Sequence, residues 1–419
     1  MSQYKRLFSP SLVVYFMVNT MFFMGIGIQG IAIPWLLLER TGGALSVGIM
    51  LCIRALPGVL LVGVAGAWAD RYDRRRICFY MNLLQAVPML IISYLIGQNA
   101  AGYASVYIIT LFLSVGNTFF VPAARAYMQE LVETSHLMKA NSLHEITSQA
   151  GNIIGIGLGG ILVALVNAAN TLAIGAGAFL LSAVLVIYMK RREAAARPAS
   201  VEGLSRGQLS QTVRYIRERK ALLAAILFIL FPSLVVQVNN ILVGAYVKDI
   251  LRLGADSFSL VSVMYSAGAM LAGVLLVTAK KPGTGRKTIF GALLLLSLAQ
   301  GWFGFTYHIS ASASAIFAVG FFVVMSRSWL NSKIMEETED AFGGRIQSVV
   351  NMMNSLMILL AGLFIGISAS LLSYPVIYLA VAGIGAVAAL LSWPGFRNED
   401  HSIVHSRSPS EDEPKSAGL

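Results

Sequence analysis

Apolar residues run through this chain in long blocks, separated by short polar stretches at nearly even intervals. A block of about 20 mostly apolar residues, wound as a helix, crosses the hydrocarbon core of a bilayer. Twelve such blocks can be read: about 11–37, 45–69, 77–97, 104–128, 141–167, 171–189, 221–248, 257–279, 288–307, 312–330, 345–370 and 374–393. They are continuous rather than alternating, which predicts helices and argues against a transmembrane β-barrel. Ser9-Pro10 reads as a helix start. The first block is too long for the apolar core of a cleavable signal peptide.

Residues 190–220 are the longest polar interior stretch and fall between spans six and seven. Their later part, from Ser210 to Lys220, predicts an amphipathic helix on the membrane surface. The end of the chain, from Arg397 on, is rich in Ser, Asp and Glu and reads as a disordered tail. The expected fold is all-α and integral to the membrane, with twelve transmembrane helices in two six-helix pseudo-symmetric halves around a central cavity. The halves are residues 1–189 and 221–396, with a cytoplasmic linker at 190–220 and a tail at 397–419. A faint repeat supports the duplication. Arg125 and Arg327, Gln149 and Asn351, Asn152 and Asn354, and Gly160 and Gly362 all stand at one offset. Two such halves place a substrate site between them near the midplane.

Composition agrees with the pattern. Charged residues make up 12% of the chain, about half the ~25% usual in soluble proteins. The net charge of +11 would suggest nucleic acid in a soluble chain. Its distribution points elsewhere. With the N-terminus in the cytoplasm, all 31 Lys and Arg except Arg40, Arg54, Lys248 and Arg252 fall at cytoplasmic ends, loops or tails. That is the positive-inside pattern. It predicts a multi-pass protein of a bacterial plasma or inner membrane with both termini cytoplasmic. The partners expected are membrane lipids and a small-molecule substrate, and no nucleic acid. Cys52 and Cys78 read as structural.

Polar side chains are spread unevenly among the spans. Spans six and twelve are almost pure hydrocarbon. Asn19 and Gln29 in span one, Asn117 in span four, and Gln149 and Asn152 in span five are candidates to line a cavity. So are Gln237 and Asn240 in span seven and Asn351 and Asn354 in span eleven. Residues three apart share a helix face. The plainer alternative is interhelical glue, worth about 0.6 kcal/mol per hydrogen bond.

Arg54 stands by itself, about nine residues or roughly 14 Å into span two. A charge there costs at least ~2.5–3.5 kcal/mol on insertion scales. Pro57, one turn on, can kink the helix and open room around it. Arg54 is read as facing the cavity, toward an anionic substrate group or an acidic partner. The alternatives are snorkelling and structural pairing. Glu145 in span five and Asp249 at the end of span seven are the proton-coupling candidates; interfacial ion pairing is the other reading for both.

No catalytic signature stands out. "PGTGRKT" at 282–288 has Arg286 where a P-loop needs Gly. HExxH, GxSxG and metal-ligand clusters are absent from the sequence. No enzyme activity, metal or cofactor is expected.

The stretch "GAWADRYDRRR" at 66–76 follows span two. Its Gly66, Asp70, Arg71, Arg74 and Arg75 resemble the signature of the major facilitator superfamily. "VPAARAYMQELV…LMKANSL" and "FGGRIQSVVNMMNS" resemble the four–five and ten–eleven junctions of an exporter-like subgroup. That subgroup includes macrolide-efflux proteins and the enterobactin exporter. The resemblance covers about residues 10–395.

The resemblance implies a conformational latch. Asp70, with Arg71 beside it, would lie against the start of span eleven near Gly344 and Arg345. A helix N-terminus there favours an anion by ~0.3–1 kcal/mol. Arg74 would join the cluster to Glu130 at the end of span four. The latch would hold the cytoplasmic side closed in the outward-open state. The resemblance further implies a monomeric secondary transporter that rocks between two states. It would export drug-, macrolide- or siderophore-like amphipathic compounds by proton antiport. The alternative is a metabolite uptake porter or uniporter of the same fold. The sequence also departs from the family pattern. Asp73 stands where Gly is common, and "AKKPGTGRK" in the second half lacks the Asp-Arg pair. Ile156 replaces a frequent Pro, and span one carries no acid.

Overall fold

The computed structural model describes residues 10–41, 43–98, 100, 102–132, 136–189, 206–278, 286–339 and 342–395. The start of the linker, up to residue 205, and the tail at 397–419 lie outside the described residues. Every regular element among the described residues is a helix.

Span one is α1 (Pro10–Thr41), and span two is α2 (Ala44–Leu60) with α3 (Val62–Arg71). Spans three and four are α4 (Arg74–Gly97) and α5 (Tyr103–Leu131). Spans five and six run together as α6 (Leu137–Ile187). The later linker is α7 (Arg206–Glu218). Span seven is α8 (Lys220–Phe228) with α9 (Leu230–Asp249). Spans eight to twelve are α10 (Ala255–Thr278), α11 (Arg286–Gly304), α12 (Ile309–Glu336), α13 (Gly343–Leu371) and α14 (Tyr374–Gly395).

The chain departs in three places from the uninterrupted rods and loops expected. Span two breaks at Leu61, four residues after Pro57. Span seven breaks at Ile229, just before Pro232. Pro232 lacks the N–H that would bond the Phe228 carbonyl, so one rung of that ladder is missing beside the break at Ile229. Between spans five and six no separate loop forms. The chain reverses at Asn167, whose φ of 73° and ψ of 166° are costly for a side chain-bearing residue. Local bonds hold the turn. The Asn170 N–H donates to Asn167 Oδ1 at 3.0 Å, and the Thr171 hydroxyl donates to the Asn167 carbonyl at 2.7 Å. Asn167→Ala keeps the unfavourable backbone and removes the cap. It should cost about 1–2 kcal/mol, read as a lower thermal unfolding midpoint of the purified protein.

Within the first half, span one lies almost backbone to backbone on span five. Gly151, Gly155 and Gly159 are spaced four apart and face span one. A Cβ at Gly151 would overlap the Thr20 carbonyl, and one at Gly155 the Met24 carbonyl. From the other side, a Cβ at Gly27 would overlap the Asn152 carbonyl. Small residues at this spacing let membrane helices approach closely, where packing rather than the hydrophobic effect drives association. In the second half, Gly268 and Gly320 do the same for spans eight and ten.

The two ends of the bundle differ in charge. One carries Arg71, Arg74, Arg75, Arg76, Arg219 and Arg345 and is called here the basic end; the other carries Arg40, Lys248 and Arg252. Ion pairs at the basic end among the described residues include Arg74 with Glu130 and Arg125 with Glu145 in the first half, Lys333 with Glu337 in the second, and Arg219 at the end of the linker with Glu339 of the second half. The linker helix α7 is docked there on the second half rather than lying only on lipid. Tyr215 stacks on Phe342 at 4.2 Å, and Thr212 and Ile216 are buried.

The halves meet toward the far end along two seams. Span two packs on span eleven, where Gly48 approaches Gly362 and Gly366 and the Cys52 thiol donates to the Leu359 carbonyl at 3.5 Å. Span five packs on span eight, where Ser259 Oγ donates to the Ile156 carbonyl at 2.8 Å and Gly160 lies against Ser259. The Lys248 ammonium donates to the Leu38 carbonyl, and Trp35 stacks on Phe258. The basic-end part of span two, α3, packs instead on spans three and four of its own half, with Trp68 edge-on to Phe119.

Candidate functional site

A cavity of about 540 Å³ lies between the halves, on the basic side of the two seams. That is the size range of small-molecule sites. Spans one, two, four and five line one side, and spans seven, eight, ten and eleven the other.

The Ser114 hydroxyl of span four donates to the Arg54 carbonyl, anchoring the backbone there. The Arg54 guanidinium faces the cavity. Asn117 and Thr118 of span four and Asn152 of span five border the cavity on the same side. Across the cavity are Gln237 and Asn240, one turn apart on span seven, with Asn240 Nδ2 donating to Gln237 Oε1 at 3.4 Å. Five of the ten residues expected at the cavity therefore border it: Arg54, Asn117, Asn152, Gln237 and Asn240.

The other five are placed differently. Asn19 is fully buried inside the first half, away from the cavity. Its amide donates to the His144 carbonyl at 3.2 Å, Thr147 Oγ1 at 2.9 Å and Ser148 Oγ at 2.8 Å. It fastens span one to span five, which is the glue role. Gln29 borders a small side recess beyond Arg54 rather than the main cavity. Asn354 accepts from the Ser233 hydroxyl at 2.6 Å and ties span seven to span eleven. Gln149 and Asn351 are exposed and lie outside the cavity wall, on its basic side.

Sequence reading missed Tyr265, Ser262 and Ser266 of span eight, which face the cavity. The serines muted their own signal. Ser262 donates to the Phe258 carbonyl at 2.8 Å and Ser266 to the Ser262 carbonyl at 3.1 Å, so both hydroxyls are folded onto their helix. Their four-residue spacing, with Tyr265 between, was the available clue.

Glu145 and Asp249 do not border the cavity. Glu145 pairs with Arg125 at 2.7 Å, and Asp249 accepts from the Tyr374 hydroxyl at 2.8 Å. Arg125 lies two turns from Thr118, and Glu145 two turns from Asn152, so the pair continues the cavity faces of spans four and five toward the basic end. Both side chains are about half exposed, at 47% and 58%. The wall is open to solvent there, whereas the far end is sealed.

Of the expected latch, Arg74 and Glu130 form an ion pair, and Arg74 Nε also donates to the Ala69 carbonyl at 2.9 Å. Arg71 is exposed. The Arg345 guanidinium lies 5.6 Å over the Phe342 ring at the start of α13, the helix that also carries Gly344. The Asp70 side chain lies outside the described residues. Among the described residues no group of three His, Cys, Asp or Glu could hold a metal ion.

Comparison with known proteins places this geometry. The chain is 27% identical over 286 residues to the multidrug efflux pump Tap of Mycolicibacterium fortuitum, covering 66% of this chain and 69% of that one. It is 26% identical over 170 residues to the enterobactin exporter EntS of Salmonella paratyphi A, covering 37% of each. The crystal structure of the nucleoside transporter NupG superposes with a TM-score of 0.74 at 13% identity, covering 93% of this chain and 100% of that one, which shows the fold alone. The family model described as Major Facilitator Superfamily matches residues 15–362. With its helical halves, its cavity between them and that match over most of its length, this chain belongs to the Major Facilitator Superfamily of membrane transporters.

Proposed function

We propose that the protein exports small amphipathic compounds, drug-, macrolide- or siderophore-like, in exchange for protons. The observation that carries this reading is the cavity sealed at one end by helix packing and open at the other. Such a site serves one side of the membrane at a time, and rocking of the halves exposes it to the other. The efflux pump and exporter among the relatives support the outward direction. On the positive-inside rule the basic end faces the cytoplasm, with both termini. The structure then corresponds to the inward-open state. In the outward-open state the basic ends close, and Asp70 meets the start of α13 beside Arg74 and Glu130. The glycine seams part at the same time.

One observation favours the alternative, a porter or uniporter without protons. No carboxylate borders the cavity among the described residues. On the proton-exchange reading the coupling candidates remain Glu145, paired with Arg125 two turns toward the basic end, and Asp249, bonded by the Tyr374 hydroxyl.

Proteoliposomes with an imposed pH gradient test the reading. Loaded with a panel of dyes, macrolides and catecholate siderophores, they should show substrate flux with opposite proton movement. Flux indifferent to the gradient would establish the alternative. Asp70→Asn removes the charge but not the shape of the latch. It should leave expression intact and slow transport about threefold to tenfold, for a lost interaction of ~1 kcal/mol. Wild-type flux from this variant would remove the latch role.

A further inference from the structure

We infer that the group recognised in the cavity is an anion on an apolar body, held by Arg54. The inference rests on the reading of this cavity as the transport site, but not on direction or proton coupling.

Arg54 is the only charged residue bordering the cavity among the described residues. Its backbone carbonyl is bound by Ser114, yet its guanidinium makes no salt bridge or hydrogen bond with a described residue. The carboxylates that could have neutralised it are held elsewhere. Glu145 is bound by Arg125, Glu130 by Arg74, and Asp249 by Tyr374. Snorkelling does not describe it, because the side chain is exposed into the cavity rather than turned to the membrane surface.

A guanidinium stays protonated and offers a planar fork of N–H donors. That fork matches two oxygens of one carboxylate, sulfonate or phosphonate. In a site walled largely by hydrocarbon the attraction is screened far less than in water. Ile26, Ile31, Met50, Leu51 and Val261 supply that hydrocarbon. Gln237 and Asn240 opposite are neutral and bring no negative charge to offset Arg54. A cationic amphiphile would sit beside an uncompensated arginine with no carboxylate in reach. The wall therefore selects for an amphipathic organic anion and against a cation of the same shape.

Three probes with one aromatic body separate the headgroups: pyrenebutyrate, pyrenebutanol and a pyrenebutyl-trimethylammonium salt. Binding to the full-length protein in nanodiscs is followed by pyrene fluorescence, without any gradient. Pyrenebutyrate should bind about tenfold tighter than the alcohol, the effect of one charge-assisted hydrogen bond. The ammonium probe should bind no better than the alcohol. Arg54→Gln should bring pyrenebutyrate down to the alcohol's affinity and leave the alcohol unchanged. Arg54→Lys should keep part of the preference, since it retains the charge but loses the fork. Equal binding of the three probes, a preference for the ammonium, or an unchanged preference in Arg54→Gln would each overturn the inference. If Arg54→Gln does not accumulate, the headgroup ranking on the wild-type protein decides it. A flux measurement that fails to show proton exchange would refute the proposed coupling and leave this ranking untouched.

Discussion

Gly160→Leu is expected to reduce transport at least tenfold while the protein still accumulates as a folded species. Gly160 sits on the seam between the halves, where a Cβ would overlap the Ser259 side chain and lie 2.9 Å from the Ala255 carbonyl. A leucine cannot be housed there without moving span five away from span eight. Overpacking of a well-fitted contact costs typically ~1–3 kcal/mol, and more when backbone must shift. The penalty applies only to the state in which the seam is closed, because in the other state these helices have parted. It is therefore a differential energy, which is what shifts a two-state equilibrium. The variant should populate the form open at the far end. Labelling an engineered cysteine at Asn240 from each side of right-side-out and inverted vesicles would read the shift. Labelling unchanged from wild type, with normal flux, would show that the seam does not close during the cycle.

Gly155→Leu, five residues earlier on the same helix, is expected to act in another way. The protein should fail to accumulate in the membrane, or should aggregate on extraction. Gly155 faces the interior of the first half, where a Cβ would overlap the Met24 carbonyl of span one. Its neighbour Gly151 meets the Thr20 carbonyl and Gly27 the Asn152 peptide, so the two backbones touch over several turns. Asn19 reinforces the same contact, its two amide N–H donors shared among three acceptors on span five. In a rocking mechanism each half moves as a rigid body, so no state relieves this clash. The penalty falls on the fold rather than on an equilibrium between states, and buried overpacking of this kind belongs to the most destabilising class of substitution. Size-exclusion profiles and thermal unfolding of the detergent-solubilised variant measure it. A monodisperse, fully active Gly155→Leu protein would show that spans one and five are not a fixed pair.

The two glycines illustrate how differently the molecule can be read from its letters and from its shape. Both lie in "GNIIGIGLGG", and nothing in that string says which faces the sister half and which the neighbouring helix. The same holds for the amides. Asn19 and Asn117 are alike as polar interruptions of apolar spans. Asn19 is consumed by span five, whereas Asn117 borders the cavity. Tyr265 carried only the faint sign of its two flanking serines, since an aromatic ring is ordinary in an apolar run and both serines bond their own helix. The breaks at Leu61 and Ile229 were half visible through Pro57 and Pro232, but not the near-continuous turn at Asn167.

What the sequence by itself determined follows from local transfer energy. Long apolar blocks specify helices that cross a bilayer. The signature after span two pointed to the superfamily. A lone arginine inside a span marked Arg54, because a charge in hydrocarbon is too costly to be incidental. What only the tertiary structure decided follows from rotation and distance. Which face of each helix meets a neighbour is set by how neighbouring surfaces interlock, and that depends on residues far apart in the chain. Close packing of glycine-lined faces settled which amides are glue and which border the cavity. The same packing sealed the far end and left the guanidinium of Arg54 facing open space.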